Sequence, residues 1–269
     1  LTKCVLWQNV QDADPKGDKM HNFDFVKPTS IADAVAAMSG EEAQALGGGQ
    51  TLLPTMKQRL AAPATLVSLS GIEEMKGVCM DDQGRCCIGG ATTHAAVARD
   101  AAAHFPAIAA LAGQIGDPMV RNKGTIGGSV ANNDPAACYP AGVLGTGATV
   151  VTNSREIAAD DYFQGMFTTA LEEGEIVTEV KFPVAEKASY QKFMQPASRF
   201  ALTGVFVAKY ADGVRVAVTG ASEEGVFRWT EAEAALSADF SPAAVDGLSV
   251  SAEGLIGDLH ATPAYRANL

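Results

Sequence analysis

Two short runs in this chain are placed to do chemistry: Gly47-Gly48-Gly49-Gln50-Thr51 and Thr125-Ile126-Gly127-Gly128-Ser129. Glycine has no side chain, so a ligand can come close to the backbone. Exposed backbone N–H groups are fixed dipoles that meet an anion without reorganising. The amide of Gln50 and the hydroxyls of Thr51, Thr125 and Ser129 add side-chain donors for phosphate oxygens. Two separated loops of this kind suit two linked phosphates, which points to a dinucleotide or diphosphate cofactor held from both sides by one chain. Neither run is G-x-G-x-x-G at a strand-to-helix turn with a suitably spaced acidic residue, which argues against a Rossmann site. Neither is G-x-x-x-x-G-K-[ST], which excludes a nucleoside-triphosphate P-loop.

Other reactive residues form no constellation. Cys4, Cys79, Cys86, Cys87 and Cys138 contain no C-x-x-C pair, so no zinc or iron–sulfur site is written in the chain, and reduced structural thiols are expected. His21, His104 and His260 share no metal spacing, and His94 is expected to be satisfied at a helix start. Asp160-Asp161 and Glu172-Glu173 are expected to be solvated turn residues rather than paired catalytic carboxylates. Lys57, Arg59, Arg121 and Lys123 are open to two readings, contact with a phosphate or partner, or plain exposure. Trp7 and Trp229 are expected to be packing residues. No catalytic acid, base or nucleophile is assigned, and no metal ligand.

The elements that must carry the two runs are legible in pattern. Phe23–Val26 reads as a strand, Ile31–Met38 as a helix capped by Thr29 or Ser30, and Ala43–Leu46 as a strand entering the first glycine run. Leu52–Leu60 reads as a helix with Thr51 as its cap. Strands are expected at Leu66–Leu69 and Arg85–Ile88, then a helix through Arg99 capped by Thr92 or Thr93, and a helix over Pro106–Ile115. The second glycine run and Asn132–Pro135 read as loop, Tyr139–Leu144 as helix and Thr149–Thr152 as strand. Phe163–Thr169 and Ile176–Phe182 bracket an acidic turn. Beyond Pro183, Tyr190–Met194, Leu202–Tyr210 and Val214–Thr219 read as successive strands with a hairpin at Gly213, and Thr230–Leu236 as a helix. This order predicts an α+β fold, with a boundary near residues 184–188.

The chain has 269 residues, a formal charge of −11 and 47% hydrophobic residues, enough for one large domain or several small ones. So acidic a balance argues against nucleic acid as partner. No apolar run reaches the roughly 18 residues of a membrane span, and no secretory pattern opens the chain, so a cytoplasmic location is expected. Residues 1–19 differ in texture and read as an N-terminal extension foreign to the native chain.

The two runs together resemble the flavin loops of the FAD-binding medium subunit of molybdenum hydroxylases. Leu46–Pro54 is similar to the first loop and Ile115–Ser129 to the second, and the match is closest to medium subunits of aerobic carbon monoxide dehydrogenases. It runs from Met20 onward and includes Asp160–Thr169, Glu175–Val180 and Tyr265-Arg266. The resemblance implies a two-subdomain FAD-binding fold of the PCMH, vanillyl-alcohol-oxidase-like type over residues 20–185, split near 75–80, and a smaller α+β domain over 186–269. It implies that Gly47, Gly48, Gly49, Gln50 and Thr51 hold one side of the FAD pyrophosphate, and Thr125, Gly127, Gly128 and Ser129 the other. Asn132 and Asp134 would line the same channel, Ile176 would lie near the adenine, and Phe200 would cover the isoalloxazine. It also implies an iron–sulfur small subunit and a molybdopterin-containing large subunit as partners, electron delivery to a quinone, NAD or oxygen, and a complex that can associate with the inner face of the membrane. Three positions depart from the pattern: Gln50 where His is common, Cys138 where Asp is frequent, and Phe200 where some members have Tyr. A self-sufficient flavin oxidase on a related fold is the alternative reading, and a flavin-free docking scaffold a third.

Overall fold

The computed structural model describes residues 20–196 and 199–269; the expectations placed on residues 1–19, Cys4 and Trp7 fall outside them. Strand β1 (Asp24–Val26), helix α1 (Ile31–Met38), β2 (Ala43–Leu46), α2 (Leu52–Lys57) and β3 (Thr65–Ser68) come first, and their strands form a parallel sheet in the order β1-β3-β2. Ser30 caps α1 by accepting the Asp33 N–H. Ala34 of that helix is fully buried with Val67 and Ile72 beneath it. Helix α2 is shorter than expected, and Thr51 does not cap it with its side chain. The Thr51 carbonyl instead accepts both the N–H and the hydroxyl of Thr55.

The next stretch comprises β4 (Val78–Met80), β5 (Arg85–Gly89), α3 (His94–Asp100), α4 (Pro106–Gly113), α5 (Pro118–Arg121), α6 (Ile126–Asn132), α7 (Cys138–Thr146), β6 (Thr149–Thr152) and β7 (Glu156–Ala158). It continues through α8 (Ala159–Tyr162), the hairpin β8 (Phe163–Gly165) and β9 (Thr168–Thr169), and β10 (Val177–Pro183). An antiparallel sheet runs in the order β4-β5-β10-β6-β7. The second glycine run is not a loop, as the sequence suggests: Thr125 caps α6 by accepting the Gly128 N–H, and the glycines form the first turn of that helix.

The remaining strands are β11 (Lys187–Met194), β12 (Ala201–Tyr210), β13 (Gly213–Ser222) and β14 (Gly225–Arg228), followed by α9 (Thr230–Ala238) and α10 (Pro263–Asn268). They form an antiparallel sheet in chain order. Helix α7 is buried along its whole length. It lies in one core with Val150, Val180 and Phe182 of the central sheet and Phe206, Ala208 and Ala217 of the last sheet. At roughly 1.5–3 kcal/mol for each large side chain removed from water, this shared core is the main force joining the two sheets. A polar link adds to it. Asp160, expected to be solvated, accepts from Arg215 at 2.7 Å and lies 3.5 Å from Arg228, so it ties α8 to β13 and β14.

Candidate functional site: a cavity between the glycine segments

The turn after β2 delivers the first glycine segment directly above the N-terminus of α6. A methyl group on Gly48 would run into the Lys123 carbonyl, and one on Gly127 would stand 2.6 Å from the Gly90 carbonyl oxygen. The segments are thus glycine-rich first because backbone packs on backbone there. Among the described residues, the N–H groups of Gly48, Gly49, Gln50 and Thr51 donate to no protein acceptor. The second segment is different. The N–H groups of Ile126, Gly127, Gly128 and Ser129 go to Thr92 O, Gly90 O, Thr125 Oγ1 and Thr125 O. What remains available on that side is the hydroxyl proton of Thr125, the Ser129 hydroxyl and the Asn132 amide.

Both segments open on one cavity of about 790 Å³, within the ~300–1,000 Å³ of small-molecule sites. Its wall contains Gly47, Gly48, Gly49, Gln50, Thr51, Thr125, Gly127, Gly128, Ser129, Asn132, Asp134, Ile176 and Phe200, every residue nominated from the sequence. Ile176 is buried, and its backbone N–H and C=O are both committed to Asn153, which leaves its side chain as what it offers the cavity. Asp134 spends Oδ1 on the Ala136 N–H, and burial pushes its carboxyl above the usual range. Phe200 is half exposed at the rim.

Several wall residues were not found from the sequence. Phe167 sits at the tip of the β8–β9 hairpin in the left-handed region, φ 54°, where a bulky residue is uncommon. Asn133 holds that tip: its side-chain amide N–H group donates to the Gly165 and Thr168 carbonyls, and its backbone carbonyl accepts the Phe167 N–H. Lys192, from β11, donates to the Gln114 carbonyl at 2.9 Å and the Arg199 carbonyl at 3.4 Å. His94 lies in the wall with Nδ1 buried and unpartnered, contrary to the expectation of a satisfied helix-start histidine. Burial, helped by the charge of Arg121, lowers its pKa to about 4, so the ring is neutral at pH 7. Arg121 itself braces the bend before α5 by donating to the Ile115 and Gly116 carbonyls. Glu175 gathers Thr152, Ser154, Arg155 and the Glu172 N–H around its carboxylate, which is held down at about 2. That cluster fixes the end of the wall occupied by Ile176.

A cavity of this volume, with unclaimed amides on one side, hydroxyls on the other, and the apolar side chains of Ile176 and Phe200 among its wall residues, fits an extended diphosphate ligand with two flat ring systems. The residues present therefore fit FAD. The comparisons with known proteins agree. Residues 21–185 match the family described as FAD binding domain in molybdopterin dehydrogenase, and this chain belongs to that family, the FAD-containing medium subunits of oxidoreductases of the molybdenum hydroxylase class. It is 39% identical to the carbon monoxide dehydrogenase medium chain of Afipia carboxidovorans, over 69% of this chain and 68% of that one. It is 33% identical to the nicotine 6-hydroxylase medium subunit of Paenarthrobacter nicotinovorans, over 93% and 94%. In three dimensions it is similar to carbon monoxide dehydrogenase from Hydrogenophaga pseudoflava, with a TM-score of 0.83 and 30% identity across 93% of each chain. The relatives are medium subunits of multi-subunit complexes. Among the described residues, no helix is long and apolar enough to cross a membrane.

Proposed function

We propose that this chain is the electron-exit component of a three-subunit molybdenum hydroxylase. Bound FAD supplies the electron-accepting and electron-donating chemistry, and the protein supplies binding, orientation and electrostatics. Electrons taken from substrate by a molybdopterin-containing large subunit, and relayed by an iron–sulfur small subunit, leave through this chain to a quinone, NAD or oxygen. The N–H groups of Gly48, Gly49, Gln50 and Thr51 hold one side of the pyrophosphate, and the Thr125 and Ser129 hydroxyls with the Asn132 amide hold the other. Gly47, Gly127 and Gly128 let the segments close on it, Asp134 lines the channel, Ile176 packs by the adenine and Phe200 covers the isoalloxazine. We divide the chain into an FAD-binding domain over 20–185, split near 75–80, and a C-terminal domain over 186–269. The complex would work in the cytoplasm, with association at the inner face of the membrane. The observation that supports this reading is convergence: segments far apart in sequence meet at one cavity with donors suited to a diphosphate.

The test is a visible absorption spectrum of the chain before and after adding FAD and desalting. A retained flavin band that dithionite bleaches is expected. No retained flavin, and no rise in melting temperature with saturating FAD, would sink the reading. Turnover of a small alcohol or amine by the chain without partners would instead favour a self-sufficient oxidase.

A further inference from the structure

The cavity wall carries a charge that no ion pair cancels among the described residues. Lys192 lies in the wall, its ammonium held by the carbonyls of Gln114 and Arg199, neutral groups both. Among the described residues it makes no ion pair. Asp134 shares the cavity but makes no ion pair with it, and commits Oδ1 to a backbone N–H. Cys138, which is buried, lines the same cavity as Lys192, and its thiol is near enough to the Lys192 ammonium and the buried Tyr190 hydroxyl to be influenced by both. Burial keeps that thiol protonated and neutral, as it does the Tyr190 phenol. Cys138 is also the first residue of α7, whose N-cap, Ala137, brings no side-chain acceptor, so the helix end adds field of the same positive sign.

We propose that Lys192 is a positioning charge for the bound FAD, favouring its reduced, anionic form over its oxidised, neutral one, and that Cys138 leaves this charge uncancelled where a carboxylate would cancel it. The inference rests on the reading that FAD occupies this cavity. Two electrons and one proton added to the ring leave one negative charge, and a fixed cation in a partly buried wall stabilises that charge more than it would in water. The sequence of this chain is thereby set for a flavin that is easier to reduce.

The experiment is a dye-coupled reductive titration with dithionite on the FAD-loaded chain, giving its midpoint potential, beside a fluorescence measurement of oxidised-FAD affinity. Cys138→Asp places a carboxylate against the ammonium, and Cys138→Ser changes the atom but not the charge. The expected result is a potential lower by about 30 mV or more in Cys138→Asp, the equivalent of a tenfold change in relative affinity for the two redox forms of a two-electron couple. Cys138→Ser should stay with the unaltered chain. Lys192→Gln keeps a donor for the Gln114 carbonyl and should lower the potential in the same direction, so the proposal is still tested if Cys138→Asp fails to fold. A purely structural role for either residue would weaken both redox forms equally and leave the potential in place. Retained FAD with the same potential in all these chains overturns this proposal alone; absence of bound FAD even in the unaltered chain overturns both it and the reading beneath it.

Discussion

The two glycine segments look alike in sequence and differ in what they offer. Among the described residues, Gly48–Thr51 leave a row of backbone N–H groups without protein acceptors, whereas those of Ile126–Ser129 are consumed by the strand-to-helix turn at Gly90 and Thr92 and by the Thr125 cap. The first segment is a donor surface. The second is a packed helix start whose glycines let another backbone approach and whose hydroxyl-bearing residues, Thr125 and Ser129, line the cavity. Glycine in a binding loop therefore has two separable purposes, and only hydrogen-bond accounting tells them apart.

The largest effect is expected from Gly48→Ala. Its methyl meets the Lys123 carbonyl, which is backbone and cannot swing aside. Overpacking of this kind costs about 1–3 kcal/mol of stability. The displaced loop also misaligns its row of donors, so FAD affinity should fall by roughly 100-fold or more, about 2.7 kcal/mol. Gly127→Ala strikes the Gly90 carbonyl and should cost similar stability, but its N–H is already committed, so the loss of affinity should be smaller. Calorimetric titration with FAD and thermal melts of both variants check this. A larger affinity loss in Gly127→Ala would reverse the roles assigned to the two segments.

Hydroxyl deletions come next. Ser129→Ala should weaken FAD by roughly fivefold, about 1 kcal/mol for one hydrogen bond, with the melting temperature unchanged. Thr125→Val should weaken FAD similarly and also lower stability by about 1 kcal/mol, because Thr125 caps α6. Equal melting temperatures for the two variants would show that the cap is idle.

What the sequence disclosed, and what it hid, follows the same division. Most of the strands, a cap at Thr29 or Ser30 and both glycine runs are local patterns, set by periodicity and residue type over a few positions, whereas the short strands β4, β7 and β14 carry no such pattern and were not expected. The fate of the Gly127 amide was not legible, because its acceptor is Gly90, brought there by the fold of β5 and α3. Lys192 was missed for a like reason: its partner Gln114 is 78 residues away and belongs to another sheet's neighbourhood. Asp160 read as a solvated turn because Arg215 and Arg228 are 55 and 68 residues distant. His94 was placed on the right element, Thr93 capping α3, yet nothing in the sequence shows that its Nδ1 is left unpaired against Tyr139. Residue type announces a site, but the competition for each polar atom is decided by chain segments that sequence spacing does not connect.

The effect that is smallest at neutral pH, and one that separates the glycine segments from the opposite wall, is acid loosening. The donors of both segments are neutral and do not titrate. The wall at Ile176 depends on Glu175, whose carboxyl is held at about 2 against an ordinary 4.5, first by the Arg155 hydrogen bonds. A depressed carboxyl contributes stability that is fully present above its unfolded pKa and is lost as pH falls toward the folded one. The loss should therefore accumulate between about pH 4.5 and about pH 2, reaching about 1–2 kcal/mol once solvent screening of the half-exposed Arg155 is allowed for. Glu175→Gln should be less stable at neutral pH and show a shallower acid limb in melts against pH. Hydrogen exchange supplies the sharper readout. On acidification, protection at the N–H groups of Glu172, bonded to Glu175, and of Ile176, bonded to Asn153, should fall first. The committed amides of Ile126–Ser129 should stay protected over the same range, because no titrating group holds them. Loss of protection at both places together would mean that the cavity opens as one cooperative unit, and the contrast drawn between its walls would fail.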